Sequence, residues 1–214
     1  MSDKLVTKVA EKPILFSGAM VRAILESKKT QTRRVAKEFN PRLQYRLRQS
    51  DGEIEVLDAG NMWGIMARRT VCPYGKPGDR LWVRESIQKR GWDTRGNWDT
   101  CFIRYLATDE CLSVPTPDPV WVEHRMQSKV PSIYMPRWAS RLTLGIVSVE
   151  VERLQEISEE DAKAEGVQPV TGDGCAHYGA FRELWDSINA KRGFGWDKNP
   201  WVWVVEFKRY AEAQ

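Results

Sequence analysis

The chain has 214 residues, a hydrophobic content of 42% and a formal net charge of +4, which is the composition of a globular chain that buries a core. So small a basic excess permits a phosphate-bearing partner without requiring one. The four cysteines form no CxxC pair and there are only two histidines, so the usual structural zinc patterns are excluded and no metal site is predicted.

The sequence shows no internal repeat, no signal-peptide pattern and no apolar run of the roughly 20 residues that span a bilayer. We therefore expect a cytoplasmic protein with reduced thiols and no membrane partner. A single domain is predicted over residues 13–210, preceded by a flexible N-terminal tail at residues 1–12.

The first predicted elements are a short strand over Pro13–Ser17 and a helix from about Gly18 to Lys28. Apolar residues recur in this helix at positions 20, 21, 24 and 25, which is the stripe of an amphipathic helix on a core. The helix runs into Ser27–Arg34, where lysines, hydroxyls and arginines follow one another closely. Cations suit the C-terminal end of a helix dipole. We expect Lys28 and Arg33 to be solvated charges of this kind.

Strand patterns outnumber helical ones in the rest of the chain. The predicted strands are Glu53–Leu57, Ile65–Val71, Arg80–Glu85, Cys101–Ala107, Arg141–Leu154 and Trp201–Lys208, with a proline-rich loop over Val114–Pro119. In the strand after the Pro77-Gly78-Asp79 turn, alternation places Leu81, Val83 and Glu85 on one face. The last strand is apolar on both faces and is therefore predicted to be central in its sheet.

Two further helices are predicted in the C-terminal third. Ser158 and Asp161 have the spacing of a capping box, and Gly166 is placed to end this short helix in the left-handed conformation, so that Glu165 occupies its last turn. Apolar residues at 181, 184, 185 and 188 predict a second amphipathic helix. Because strands outnumber helices and are mostly joined by loops, we expect an α+β fold, a mixed and mostly antiparallel barrel or sheet with flanking helices.

Lys29 and Thr32 are candidates for chemistry because a desolvated lysine with a lowered pKa activates a neighbouring hydroxyl as a nucleophile. A helix continued through both residues would place them on one face. A strand beginning at Lys29 would point them to opposite faces, whereas a turn around Thr30 would allow them to converge. The sequence leaves the three geometries open.

Several motifs together resemble the ASCH domain family, whose members have a PUA-like β-barrel. The motifs are Lys28–Arg34 after the first helix, Pro77–Glu85 and the closing Trp203–Phe207; Met135–Arg141 and Asp161–Gly166 are similar to segments of larger phage and prophage members. The resemblance implies one PUA-like domain that covers the chain. Relative to the small members of the family, it implies insertions at about residues 36–75 and 90–135.

Among ASCH proteins, the small bacterial amidohydrolases that deacetylate the exocyclic amine of acetylated cytidine carry Lys-Thr-x-Thr-x-Arg, which Lys29, Thr32 and Arg34 match. Glu165 is similar in position to their third catalytic residue, a glutamate near the end of a short helix. The resemblance implies amide hydrolysis without a metal or cofactor. Thr32 would attack the carbonyl or orient a water, Lys29 would activate it, and Glu165 would pass protons to the leaving amine.

Other family members bind RNA, and some are described as ribonucleases, so a nucleic-acid-binding module remains the alternative. The expected partner is a modified cytidine nucleoside, or RNA or single-stranded nucleic acid, and no obligate protein partner is inferred.

The predicted substrate contacts are Arg34, Arg84, Glu85, Arg137 and Trp138, with arginines for phosphates and an aromatic ring for a base. Arg84 and Glu85 equally fit cross-strand pairing, and Arg137 and Trp138 fit anchoring of the loop before the long strand. Among the tryptophans, those in polar surroundings are predicted as exposed stacking surfaces: Trp92, Trp98 and Trp196.

Overall fold

The computed structural model describes residues 9–39, 45–50, 53–58, 67–92, 100–126, 128–169 and 176–210. The strands are β1 (Glu11–Leu15), β2 (Gln31–Val35), β3 (Tyr45–Ser50), β4 (Glu53–Asp58), β5 (Ala67–Val71), β6 (Arg80–Arg84), β7 (Ile87–Trp92), β8 (Thr100–Tyr105), β9 (Glu110–Pro115), β10 (Lys129–Val130), β11 (Thr143–Arg153) and β12 (Trp201–Arg209). The helices are α1 (Gly18–Leu25), α2 (Pro119–Arg125), α3 (Glu159–Ala164) and α4 (Ala176–Asn189). Most of the predicted N-terminal tail lies outside the described residues, and its last two residues belong to β1.

The main sheet has five strands in the order β1-β6-β11-β12-β2. Only the pairing of β1 with β6 is parallel in this sheet, and the other pairings are antiparallel. The predicted α+β class with a mixed, mostly antiparallel sheet is thus confirmed. In the described pairings, β1 and β2 are the two edges of the main sheet. The sheet is therefore open, whereas a closed barrel was expected.

β12 separates two hydrophobic cores. Trp203, Val205 and Phe207 pack in one core with residues of α1, whereas Val202 and Val204 pack on the opposite face with residues of α3 and α4. Each large apolar side chain buried in this way contributes about 1.5–3 kcal/mol to folding. Because both faces are buried and both edges are paired, the prediction of a central final strand is confirmed.

Two smaller sheets complete the fold. One has the order β10-β7-β8-β9 and the other β3-β4-β5. The segments predicted as insertions, about 36–75 and 90–135, contain the three-stranded sheet and most of the four-stranded one. The four-stranded sheet has its own core, in which Ile87, Ile103 and Tyr105 are almost fully buried.

The predicted loop over Val114–Pro119 is wrong at both ends. β9 continues to Pro115, and α2 begins at Pro119 behind the N-cap residue Asp118, whose side chain accepts a hydrogen bond from the backbone N–H of Trp121. A proline is tolerated in the first turn of a helix because its missing N–H would have no partner there. The proline that suggested a loop therefore marks the start of a helix.

Candidate functional site

The connection between α1 and β2 places Lys29 outside both elements. α1 ends at Leu25, three residues before the predicted end, and Ser27 then adopts a φ of 57°. The backbone N–H groups of Lys28 and Lys29 both donate to the carbonyl of Ala23. Of the three geometries considered for Lys29 and Thr32, the structure has the turn.

This turn lies directly against the C-terminal end of α3. Lys29 and Glu165 form an isolated antiparallel bridge, and the backbone N–H of Thr30 donates to the carbonyl of Ala164. The predicted capping box at Ser158 and Asp161 is present, and Gly166 has the expected left-handed backbone with φ 76°. A Cβ atom at Gly166 would lie 2.7 Å from the Cβ of Lys29, so a glycine is needed for the two segments to approach this closely.

Lys29 and Glu165 form a buried ion pair. The Nζ of Lys29 lies 2.6 Å from Oε2 of Glu165 and 2.8 Å from its backbone oxygen. The exposed fractions of the two side chains are 0% and 3%. Burial lowers the pKa of Lys29, an effect that the Glu165 carboxylate opposes. The lysine therefore compensates both the carboxylate and a carbonyl at the negative end of the helix dipole.

Arg33 holds the other oxygen of Glu165. Its backbone N–H donates to Oε1 of Glu165 at 2.5 Å. Its guanidinium, with a side chain only 1% exposed, pairs with Glu152 and Asp161 and donates to Gln31. The expectation that Arg33 is a solvated charge is wrong, because it is the centre of a buried polar network. The acidic residues concentrated between positions 150 and 165 were the sequence signal for such a partner.

A cavity of about 310 Å³ lies beside this ion pair. Thr32 and Glu165 both line it, whereas Lys29 is enclosed behind Glu165 and does not. Its apolar wall comes mainly from β1, α1 and α4, through Leu15, Met20, Phe181, Leu184, Trp185 and Ile188. A second cavity of about 340 Å³ shares Met20, Leu184 and Glu165 with the first.

Thr32 and Arg34 lie on the same face of β2, opposite Val205 and Trp203 of β12. Thr32 is 2% exposed, and among the described residues none hydrogen-bonds its hydroxyl. The Lys29 ammonium donates to Glu165 and not to Thr32. The hydroxyl is thus available to a molecule in the cavity, and Glu165 is the acidic residue among the described ones that line the same cavity.

Arg34 is held at one end of the cavity by few contacts. Its NH2 group donates to the carbonyl of Leu15 at 2.7 Å, and its guanidinium carbon lies 5.2 Å from the centroid of the Phe16 ring. Its Nε is buried and has no hydrogen-bond partner in the described part of the chain. Burial lowers the pKa of Arg34, and Tyr74 and Glu165 oppose this effect.

The structure does not bring the other four predicted substrate contacts into this cavity. Arg84 donates to the carbonyls of Met135 and Ile133, and Glu85 forms a bidentate pair with Arg141 at 2.9 and 3.1 Å. Neither contact is the cross-strand pairing that the sequence offered as the alternative, because Ile133, Met135 and Arg141 belong to the segment between β10 and β11. The alternation of β6 turns Glu85 into the protein, where it is 1% exposed.

Arg137 and Trp138 are also engaged elsewhere. The Nε of Arg137 lies 3.0 Å from Oε2 of Glu11 on β1, and Trp138 packs edge-on against Trp121 with 5.9 Å between ring centroids. Both contacts anchor the segment before β11, which is the alternative role that the sequence suggested for these two residues.

The two predicted stacking tryptophans that the structure describes, Trp92 and Trp196, do not line the cavity. Trp196 is 4% exposed in the core beneath α4, so the prediction of an exposed ring is wrong, because its flanking glycine and asparagine form a tight turn that folds inward. Trp92 donates to Glu123, and Trp98 lies outside the described residues.

The cavity residues that were not predicted from the sequence include two cations and a tyrosine. Lys37 follows the end of β2, Tyr74 precedes β6, and Arg192 follows α4. They lie far apart in the chain and in no common motif, so only the packing of the three segments brings them together. Among the described residues, no group of histidine, cysteine and carboxylate side chains has the geometry to hold a metal ion.

No protein-family model and no curated protein matches the chain. Among solved structures, the chain is similar to an ASCH domain from Lactobacillus crispatus, with a TM-score of 0.41 and 12% identity over 98% of this chain and 86% of that one. It is also similar to a DUF984 protein from Enterococcus faecalis, with a TM-score of 0.40 and 10% identity over 96% and 85% of the two chains. No helix in the described segments is long and apolar enough to cross a membrane.

Proposed function

We propose that the chain is an ASCH-type amidohydrolase that removes an acyl group from the exocyclic amine of cytidine-type substrates. The observation that supports this most directly is the buried pair of Lys29 and Glu165 beside the accessible hydroxyl of Thr32. The motif resemblance selected these same three residues without reference to their positions in space. A strongly desolvated ion pair at the edge of a cavity is a typical setting for acid–base chemistry.

In the proposed reaction, oxygen attacks the acyl carbon and the bond from that carbon to the exocyclic nitrogen breaks. Glu165, which shares the cavity with Thr32, accepts the proton from the attacking water or hydroxyl and returns it to the departing amine. If Thr32 is the nucleophile, the acyl group is first carried on its oxygen and a water then releases it. If Thr32 orients a water, no covalent intermediate forms.

Lys29 acts in this scheme through Glu165. It is enclosed behind the carboxylate and binds Oε2, while Oε1 accepts the backbone N–H of Arg33. The ammonium fixes the orientation of the carboxylate and stabilises its negative charge when no substrate proton is bound. Because burial lowers the pKa of Lys29, its ammonium holds the proton less firmly, which eases proton exchange within the pair.

The test is incubation of the purified protein with acetylated cytidine, followed chromatographically as cytidine appears. We expect turnover by the wild type and its loss in Lys29→Ala, Thr32→Ala and Glu165→Gln. Lys28→Ala is the matched control, since Lys28 is the adjacent lysine and pairs with Glu26 at the surface. Absence of turnover by a folded wild type would refute the proposal, as would equal losses in the Lys28 and Lys29 variants.

The second candidate function is binding of RNA or single-stranded nucleic acid, with or without cleavage. A separate surface supports it, where Trp121 and Tyr134 lie beside Arg125 and Lys129 around a cavity of about 340 Å³ with no acidic side chain among its described lining residues. Aromatic rings beside cations suit stacked bases and phosphates. Binding of a single-stranded oligonucleotide that weakens steeply with salt and is lost in Trp121→Ala would favour this function.

A further inference from the structure

The cavity beside Thr32 and Glu165 has a positive end whose cations pair with no carboxylate among the described residues. Four cationic residues line it, Arg33, Arg34, Lys37 and Arg192, against the single acidic residue Glu165 among the described lining residues. The charge of Glu165 is already compensated by Lys29, and that of Arg33 by Glu152 and Asp161. The charges that remain belong to the other three cations.

In the described part of the chain, no carboxylate lies within 4.0 Å of the cationic groups of Arg34, Lys37 and Arg192. Arg34 has in addition a buried Nε donor without a hydrogen-bond partner. An unused buried donor is costly and uncommon in a native protein. A bound anion would satisfy it, and a guanidinium is well suited to phosphate because it donates two parallel hydrogen bonds.

Tyr74 adds a neutral donor at the same end. It lines the cavity, and burial raises the pKa of its phenol while the neighbouring Arg34 opposes the change. The hydroxyl therefore keeps its proton at neutral pH and is able to donate to an anionic oxygen.

The positive end begins beside Thr32 on β2. Arg34 follows Thr32 by two residues on the same face of β2, and Lys37 continues past the end of the strand. An extended strand advances about 3.3 Å per residue, so the Cα atoms of Thr32 and Arg34 lie roughly 7 Å apart along β2. The wall formed by Phe181, Trp185 and Ile188 is apolar, as a planar base requires.

We propose that Arg34, Lys37, Tyr74 and Arg192 form a phosphate-binding subsite, so that the substrate is a cytidine mononucleotide and not the neutral nucleoside. The reaction assumed at the other end of the cavity is that of the proposed function. The phosphate subsite itself requires only binding, so the two proposals are separable by experiment. A cavity of about 310 Å³ suits one mononucleotide, since small-ligand pockets begin near 300 Å³.

The test compares cytidine with cytidine 5′-monophosphate by isothermal titration, for the wild type, Arg192→Ala and Lys191→Ala. We expect the monophosphate to bind the wild type at least about tenfold more tightly than cytidine, which is the effect of one good charge-assisted contact. Arg192→Ala should remove most of this preference. Lys191→Ala is the matched control, because Lys191 is the exposed neighbour that does not line the cavity, and it should retain the preference.

The same variants are then assayed with acetylated cytidine and its 5′-monophosphate. A preference in kcat/KM for the monophosphate that depends on Arg192 supports both proposals. Preference in binding without turnover of either compound supports the subsite and refutes the hydrolase. Turnover of both compounds with equal kcat/KM refutes the subsite and leaves the hydrolase. Tight binding of an oligocytidine with no binding of the monophosphate also overturns the mononucleotide proposal.

Discussion

Lys29 and Glu165 are separated by 136 positions in the chain, yet 2.6 Å separates the Nζ of one from Oε2 of the other. Glu165 reaches the cavity and Lys29 does not. The carboxylate is therefore the member of the pair that meets a bound molecule, and the ammonium supports it from the protein side. This relationship assigns the two residues different roles in the proposed reaction and makes the following predictions specific.

Replacing Lys29 by methionine removes the ammonium while preserving much of the side-chain volume. Glu165 then loses its nearest counter-charge and keeps the more distant Arg33, whose NH1 lies 3.7 Å from Oε1. This loss should lower the free energy of unfolding by about 3–5 kcal/mol. Urea denaturation measures the change. Adding Glu165→Gln to the Lys29→Met variant should restore part of the stability, because the uncompensated charge is removed.

The exposed neighbour Lys28 supplies the control for this prediction. Its ion pair with Glu26 is more than half exposed on both sides, so Lys28→Met should leave the unfolding free energy almost unchanged. If Lys29→Met unfolds at the same urea concentration as the wild type, the buried pair does not stabilise the junction of α3 and β2.

Gly166→Ala should disturb the site without changing a polar group. The new Cβ would lie 2.7 Å from the Cβ of Lys29 and 2.9 Å from that of Ala23, at a backbone φ of 76°. The end of α3 would have to move, and the ion pair with it. We expect loss of stability by thermal denaturation and a fall in the proposed turnover.

Gly193→Ala separates the steric effect from backbone strain. Gly193 has a similar φ of 83°, but a Cβ added there would meet no described atom within 4 Å, so this variant should lose only about 1 kcal/mol for the left-handed backbone. Equal destabilisation by the two substitutions would contradict the close approach of Gly166 to Lys29.

Variants of Thr32 distinguish its two possible roles in the proposed reaction. Thr32→Ser keeps the hydroxyl and should retain substantial activity under either role, whereas Thr32→Ala abolishes activity only if the hydroxyl is essential. A nucleophilic Thr32 should carry the acyl group transiently during turnover by the wild type, which intact-protein mass spectrometry of rapidly quenched samples detects. An active Thr32→Ala variant would rule out the covalent route.

The stability of the protein should depend on alkaline pH through Cys72, which is 1% exposed. Burial raises the pKa of its thiol from an ordinary value of 9.0 to about 11. Above pH 9 the unfolded chain releases this proton while the native state retains it, so stability falls as the pH rises toward 11. Unfolding free energies measured across this range should decline less steeply for Cys72→Ala, and identical slopes would contradict the prediction.

Local signals in the sequence predicted the elements that depend on local interactions. The capping box at Ser158 and the left-handed Gly166 act within one turn of helix, and both are present. The apolar faces of β12 also predicted its central position correctly. The start of α2 was missed because Pro119 carries the same local signal in a loop and in the first turn of a helix.

The residue types available for chemistry were evident from the chain alone: a lysine, a hydroxyl and arginines after a first helix, and a glutamate at the end of a short one. Which of them meet was decided by strand register and packing. Pairing of β2 with β12 turns Arg33 toward the buried acidic residues and Arg34 toward the cavity, although the two arginines are adjacent. Alternation along a strand predicts that neighbours point apart, but which side becomes the cavity depends on partners more than one hundred residues away.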